Sequence, residues 1–171
     1  TQNNSITQNS YSLKNSELIA DNKNLYFSNN KNKFFSIELN TGIINWTQKI
    51  NSVLKPTLID NYIFTVSIEG FLIIIEKNSG NIIRSTDLFK KFNKKKLLKD
   101  KRIRDFLYPV GFIVGKNNIY LSTDKGHLLL VDIKTGKTIK ILKIDNEKIS
   151  RPFVQNQNLY IIKDNSILKL N

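Results

Sequence analysis

The sequence predicts an all-β fold: a β-propeller of four-stranded antiparallel blades, with about four blades in 171 residues. Three observations carry this. A hairpin phrase is written three times, as SIELNTGIINW (Ser36–Trp46), IIIEKNSGNIIR (Ile73–Arg84) and LVDIKTGKTIK (Leu130–Lys140). Each is an alternating apolar run, a polar residue, Thr-Gly or Ser-Gly, and a second alternating run. The markers of this phrase also keep a period. Gly42, Gly80 and Gly136 stand 38 and 56 residues apart, and an aromatic in an earlier strand (Tyr26, Phe64, Tyr120, Tyr160) recurs after 38, 56 and 40 residues. Both markers lengthen in the same interval. One insertion of about 16–18 residues explains both, which leaves a basic repeat of about 38–40 residues, near the length of one propeller blade. Finally, the middle strands are nearly continuous apolar runs (FLIII, HLLLV). Strands covered on both faces read this way, and blades stacked face to face cover both.

The elements follow in order. Residues 1–16 form an N-terminal edge strand or linker, with Ser5–Leu13 as the weakly alternating candidate. The first blade (17–55) has strands at Glu17–Ala20, Leu25–Ser28, Phe34–Leu39 and Ile43–Lys49. The second (56–89) has Thr57–Ile59, Tyr62–Ser67, Phe71–Glu76 and Asn81–Thr86. The third (108–149) has Val110–Val114, Asn118–Ser122, His127–Ile133 and Lys137–Ile144. The fourth (150–171) has Pro152–Val154, Leu159–Ile162 and Ile167–Leu170, and lacks a fourth strand. Polar pairs such as Asp60-Asn61 and triplets ending in glycine supply the turns between them. Gly42, Gly80 and Gly136 are structural: a hairpin turn at these places needs a positive φ, which glycine adopts without strain. Ser5–Leu13 is a candidate to complete the last blade, or the outer strand of a preceding one.

Composition bounds the function. The chain is 40% apolar, so it buries a core. No apolar run approaches the roughly 18 residues that cross a bilayer. It has no Cys and a single histidine, His127, which argues against zinc and for a structural imidazole. It starts at Thr1 and holds no Met, which reads as a processed or excised piece with any signal peptide or anchor upstream. The formal net charge is +13. Asn, Lys and Ile all have A/T-rich codons, so base composition accounts for part of this excess; attraction to acidic surfaces is the other reading.

The inserted segment, 90–107, concentrates that charge. Nine Lys or Arg stand there against Asp100 and Asp105, with Phe92, Leu97, Leu98, Ile103 and Phe106 interleaved. A short amphipathic helix is expected, facing an acidic protein or anionic lipid; the alternative is a solvated loop folded back on the rim. Nucleic acid is disfavoured, because no aromatic platform or helix-turn-helix accompanies the charge. Ser28, Ser67 and Ser122 are read as equivalent repeat positions where a small residue fits. Asp124, Asp132, Glu38, Glu69 and Glu76 lie at turns or strand ends, and their spacing forms no acid–base pair. No nucleophile elbow or phosphate loop is present. Catalytic, cofactor-binding and metal-binding residues are therefore expected to be absent.

The repeat ΦY-x-S…G-x-Φ-x-Φ-Φ-D-x-x-T-G-x-x-x-W, here NLYFSNNKNKFFSIELNTGIINW, YIFTVSIEGFLIIIEKNSGNIIR and NIYLSTDKGHLLLVDIKTGKTIK, resembles the quinoprotein-like (PQQ-like) propeller family. Over residues 17–170 it looks most like the C-terminal half of the propeller lipoprotein branch that serves outer-membrane β-barrel assembly. Such tryptophans dock on the next blade in this family; Trp46 matches, while Arg84 and Lys140 stand at the equivalent places. The resemblance implies seven or eight blades in a whole propeller, so the chain reads as part of one; a compact four-bladed propeller is the alternative. It implies a non-enzymatic scaffold on the periplasmic face of the outer membrane. Its partner would be the barrel-inserting channel protein, and also unfolded outer-membrane proteins or anionic lipid. The expected contact residues are Arg102, Arg104, Phe106 and Tyr108, chosen for exposure and chemistry. The other readings are a fragment of a quinone-dependent dehydrogenase, which the missing cysteine pair opposes, and a general anionic-surface binder. No cofactor is expected.

Overall fold

A computed structural model describes residues 12–90, 92 and 107–170. Its strands are β1 (Ile19–Ala20), β2 (Asn24–Asn29), β3 (Lys33–Glu38), β4 (Ile44–Gln48), β5 (Thr57–Ile59), β6 (Tyr62–Val66), β7 (Phe71–Glu76), β8 (Ile82–Asp87), β9 (Pro109–Val114), β10 (Asn118–Thr123), β11 (His127–Asp132), β12 (Thr138–Lys143), β13 (Phe153–Gln155), β14 (Asn158–Lys163) and β15 (Ser166–Leu170). They form antiparallel meanders β1–β4, β5–β8 and β9–β12, and a three-stranded sheet β13–β15. Among the described residues the fold is all-β, with blade-like sheets that do not close into a ring. Every expected strand within the described residues is present, displaced by at most two residues at its ends. The strand candidate Ser5–Leu13 lies outside them, apart from residues 12 and 13. Residues 14–16 run beside the end of β2, where Ser16 N donates to Ser28 O at 2.8 Å and Asn30 N donates to Lys14 O at 3.0 Å.

Alternation along the strands explains how the blades stack. On β6 and β7, Ile63, Ile73 and Ile75 turn toward the first blade, where they meet Tyr26, Phe34, Ile50 and Trp46. The residues between them, Phe64, Val66, Leu72 and Ile74, turn toward the third blade and meet Phe112, Ile119, Leu121, Leu129 and Val131. The third blade repeats the device, packing Tyr120, Leu128 and Leu142 against Leu159, Ile161 and Leu170. A period of two puts successive side chains on opposite faces, so an unbroken apolar run serves two interfaces at once.

Outer-strand pairing carries a bulge at one repeated place. The register shifts between Ser36 and Ile37, between Ile74 and Ile75, and between Leu130 and Val131. Asn45, Ile83 and Ile139 are the residues left over, each immediately before Trp46, Arg84 or Lys140. A bulge bends its strand and re-aims the next side chain. Nothing in the residue pattern announced it.

One expected equivalence fails. The registers pair Ser28 with Phe34, Val66 with Leu72 and Ser122 with Leu128. Val66, not Ser67, is the counterpart of the two serines. Ser67 sits one residue later in the turn, where its Oγ accepts from Phe71 N at 3.3 Å.

Candidate functional site

The hairpin phrase builds the same turn three times. Glu38, Glu76 and Asp132 each end an inner strand, and each backbone oxygen accepts from the turn glycine, Gly42, Gly80 or Gly136. Each carboxylate also accepts the hydroxyl three residues on: Thr41 to Glu38 Oε2 at 2.6 Å, Ser79 to Glu76, and Thr135 to Asp132 Oδ1 at 2.7 Å. The Thr135 hydroxyl and then its backbone N–H hold the Asp132 carboxyl below its ordinary value. These acidic residues are turn fasteners.

The turns also receive the preceding blade. Trp46 lies over Gly80, where an added Cβ would sit 2.6 Å from its ring, and Trp46 Nε1 donates to Lys77 O at 2.9 Å. Arg84 repeats this one blade later: Arg84 Nη1 donates to Ile133 O at 3.0 Å and its chain runs beside Gly136. The guanidinium thus replaces the indole as a long, planar donor. Lys140, the third residue of the series, is exposed.

Beside this dock, between the first and second blades, is a polar cleft of about 430 Å³ lined by Asp21, Asn22, Lys23, Asn24, Asn61, Lys77 and Asn78. Lys77 Nζ reaches Asp21 Oδ2 at 3.1 Å, each side chain about 20% exposed. Tyr26 donates its hydroxyl to the same oxygen at 3.2 Å, and the Lys23 and Asn24 N–H groups reach Oδ1 at 2.9 Å. Burial pushes the Asp21 carboxyl up, but those two backbone donors, with Lys77 and Tyr26, outweigh it and hold it at about 2. Burial and the facing Asp21 raise the Tyr26 phenol. Asp21 and Lys77 neutralise each other and tie two blades together, while the Lys23 side chain is exposed. No group of three or more His, Cys, Asp or Glu among the described residues is placed to hold a metal ion.

Of the expected contact residues, Arg102, Arg104 and Phe106 lie outside the described residues, as does nearly all of the inserted segment with its expected helix. Tyr108 is 46% exposed and held at its backbone: its N donates to Asp124 Oδ1 at 2.8 Å, and its O accepts from Asp124 N at 3.0 Å. The flanks of the insertion are anchored. Leu88 and Phe89 are buried between the second and third blades, Phe89 sits on Gly70, and Phe92 and Leu107 pack against the same cluster. His127 meets Phe92 edge-on at 5.2 Å. Its burial, then Lys143, lower its pKa, against an opposing pull from Asp124, which favours the neutral ring. Leu88, Phe89 and Phe92 are thus the residues that seat the insertion. Their place right after a strand was the available signal.

A sequence model of the family described as outer membrane protein assembly factor BamB matches residues 1–86, half of the chain. No curated protein sequence matches. Among solved structures, BamB from Moraxella catarrhalis superposes with a TM-score of 0.66 at 13% identity, over 90% of this chain and 41% of that one. The computationally designed Ika4 protein gives 0.65 at 11% identity, over 90% and 88%. The β-propeller domain of Cps50 (Swd1) from Myceliophteria thermophila gives 0.59 at 12% identity, over 81% and 45%. The chain therefore spans about two fifths of the length of the Moraxella structure.

Proposed function

The chain belongs to the family of outer membrane protein assembly factor BamB, and from that premise we propose that it is a non-enzymatic scaffold of outer-membrane β-barrel assembly. The match over residues 1–86 carries the reading. The described residues support it by what their polar groups do: carboxylates close turns, Asp21 and Lys77 neutralise each other, and His127 is packed on an aromatic ring. A binding platform needs such rigidity and no nucleophile.

The scaffold works at the periplasmic face of the outer membrane and docks on the soluble domains of the barrel-inserting channel. The basic insertion supplies the contact through Arg102, Arg104 and Phe106, with Tyr108 at its exit. Buried Leu88 and Phe89 fix where that segment leaves the blades. β15 has no outer neighbour among the described residues, and a sheet edge of this kind accepts an extended strand. Charge reversal at both Arg102 and Arg104 tests the contact. Binding to the purified periplasmic domains of the channel is expected to fall at least about tenfold, the effect of losing roughly 1.4 kcal/mol, with an unchanged melting temperature. Unaltered affinity removes the insertion from the interface.

A further inference from the structure

The junction between the first and second blades departs from the repeat at one corner. Asp21 and Lys77 meet there. One junction later, Ile59 holds the register place of Asp21: each follows the residue, Ala20 or Leu58, that pairs with Leu25 or Ile63. Ile133 holds the place of Lys77. Its O accepts from Arg84 as Lys77 O accepts from Trp46, and its N donates to Asn117 O as Lys77 N donates to Asn61 O. Ile59 and Ile133 both pack against the apolar cluster between the second and third blades. The fold thus fills this corner with two isoleucines where filling is all that is required. At the first junction it keeps an ion pair and a polar cleft of about 430 Å³. Apolar residues of similar volume serve stability at least as well as such a pair, so stability alone does not account for the exchange.

The unspent groups of the cleft define what fits it. Both Asp21 carboxylate oxygens are taken, each by two donors. The carboxamides of Asn22, Asn61 and Asn78 are exposed and make no hydrogen bond with another described residue. Lys77 Nζ has spent one N–H on Asp21, and the Lys23 side chain is exposed. With Asp21 set against Lys77, Lys23 leaves the lining with a surplus positive charge. A matching ligand therefore carries an anionic acceptor for the two ammonium groups. It also carries groups that donate as well as accept, because each carboxamide does both. An all-acceptor anion leaves the amide oxygens unmatched. No aromatic side chain lines the cleft, so it offers no stacking platform for a flat apolar ligand.

We propose that this cleft binds a small hydroxylated carboxylate of the sugar-acid class. The carboxylate lies between Lys23 and Lys77, and the hydroxyls pair with the amides of Asn61 and Asn78. Asp21 is a positioning residue: it holds the Lys77 ammonium at the cleft wall. The site stands apart from the proposed scaffold role and does not depend on it.

Ligand-observed NMR titration of the full-length protein with D-glucuronate tests this. Saturable millimolar binding is expected, with D-glucose, which lacks the carboxylate, and inorganic phosphate, which lacks the hydroxyls, each weaker by about tenfold or more. Asn61→Ala with Asn78→Ala is expected to weaken glucuronate binding about tenfold at an unchanged melting temperature, since both side chains are exposed. Asp21→Ile with Lys77→Ile copies the filled corner of the next junction and is expected to keep the fold and abolish binding. The asparagine pair keeps the test decisive if that variant does not fold. Absence of saturable glucuronate binding overturns the proposal. So does binding that glucose or phosphate matches, or that survives loss of both amides.

Discussion

Asp21 concentrates more contacts than any other described carboxylate: an ammonium, a phenol and two backbone N–H groups. Its carboxyl lies at about 2 against an ordinary 3.8, so the folded state favours the ionised form. Such a group stabilises the fold at pH above its ordinary value, and the contribution disappears as pH falls through about 2. Comparing wild type with Asp21→Asn isolates it from other acidic residues held low, Asp132 and Asp145 among them. Urea unfolding is expected to place the variant about 2 kcal/mol lower at neutral pH, with the gap closing between about pH 4 and pH 2. A gap that stays constant across that window shows that Asp21 acts through shape alone. The role of this residue was not legible beforehand. Asp21–Asn24 reads as a turn between two strands, and only the stacking of two blades brings Lys77 to it.

At the scale of the element, the repeated turn separates two costs of removing a glycine. Gly42 and Gly80 share a positive φ, 72° and 75°. Only Gly80 has the Trp46 ring above it. Gly42→Ala is expected to cost about 1 kcal/mol, the strain of a side chain in the left-handed region. Gly80→Ala adds the displacement of an indole and its hydrogen bond and is expected to cost about 3 kcal/mol. Chemical denaturation of both variants checks this; equal losses mean that Trp46 is not seated. The glycine spacing made these hairpins legible because a turn needs one residue type at one place. The bulges at Asn45, Ile83 and Ile139 were not legible, since any residue occupies a bulge of this kind and the alternation around it stays apolar. The same weakness misplaced Ser67: with Val66 in the serine's position, the nearest serine took its place by name and not by register.

Across the whole molecule, apolar runs announced the stacking of blades, and the lengthened second interval announced an insertion. What the inserted segment touches was not written in its composition: nine basic residues are compatible with a partner, a lipid surface or solvent. Its anchors show why it starts where it does. Leu88 and Phe89 complete the junction between the second and third blades, so the chain leaves the stack only after filling it. Family membership and an all-β stack of blades make a scaffold the natural reading, and its partner is the point to test. The direct measurement is affinity capture of the tagged protein, expressed in its own cells, from envelope extract, with co-purifying proteins identified and quantified. The barrel-inserting channel is expected as the dominant partner, depleted when Arg102 and Arg104 carry reversed charge. Recovery of folded bait without the channel contradicts the scaffold account.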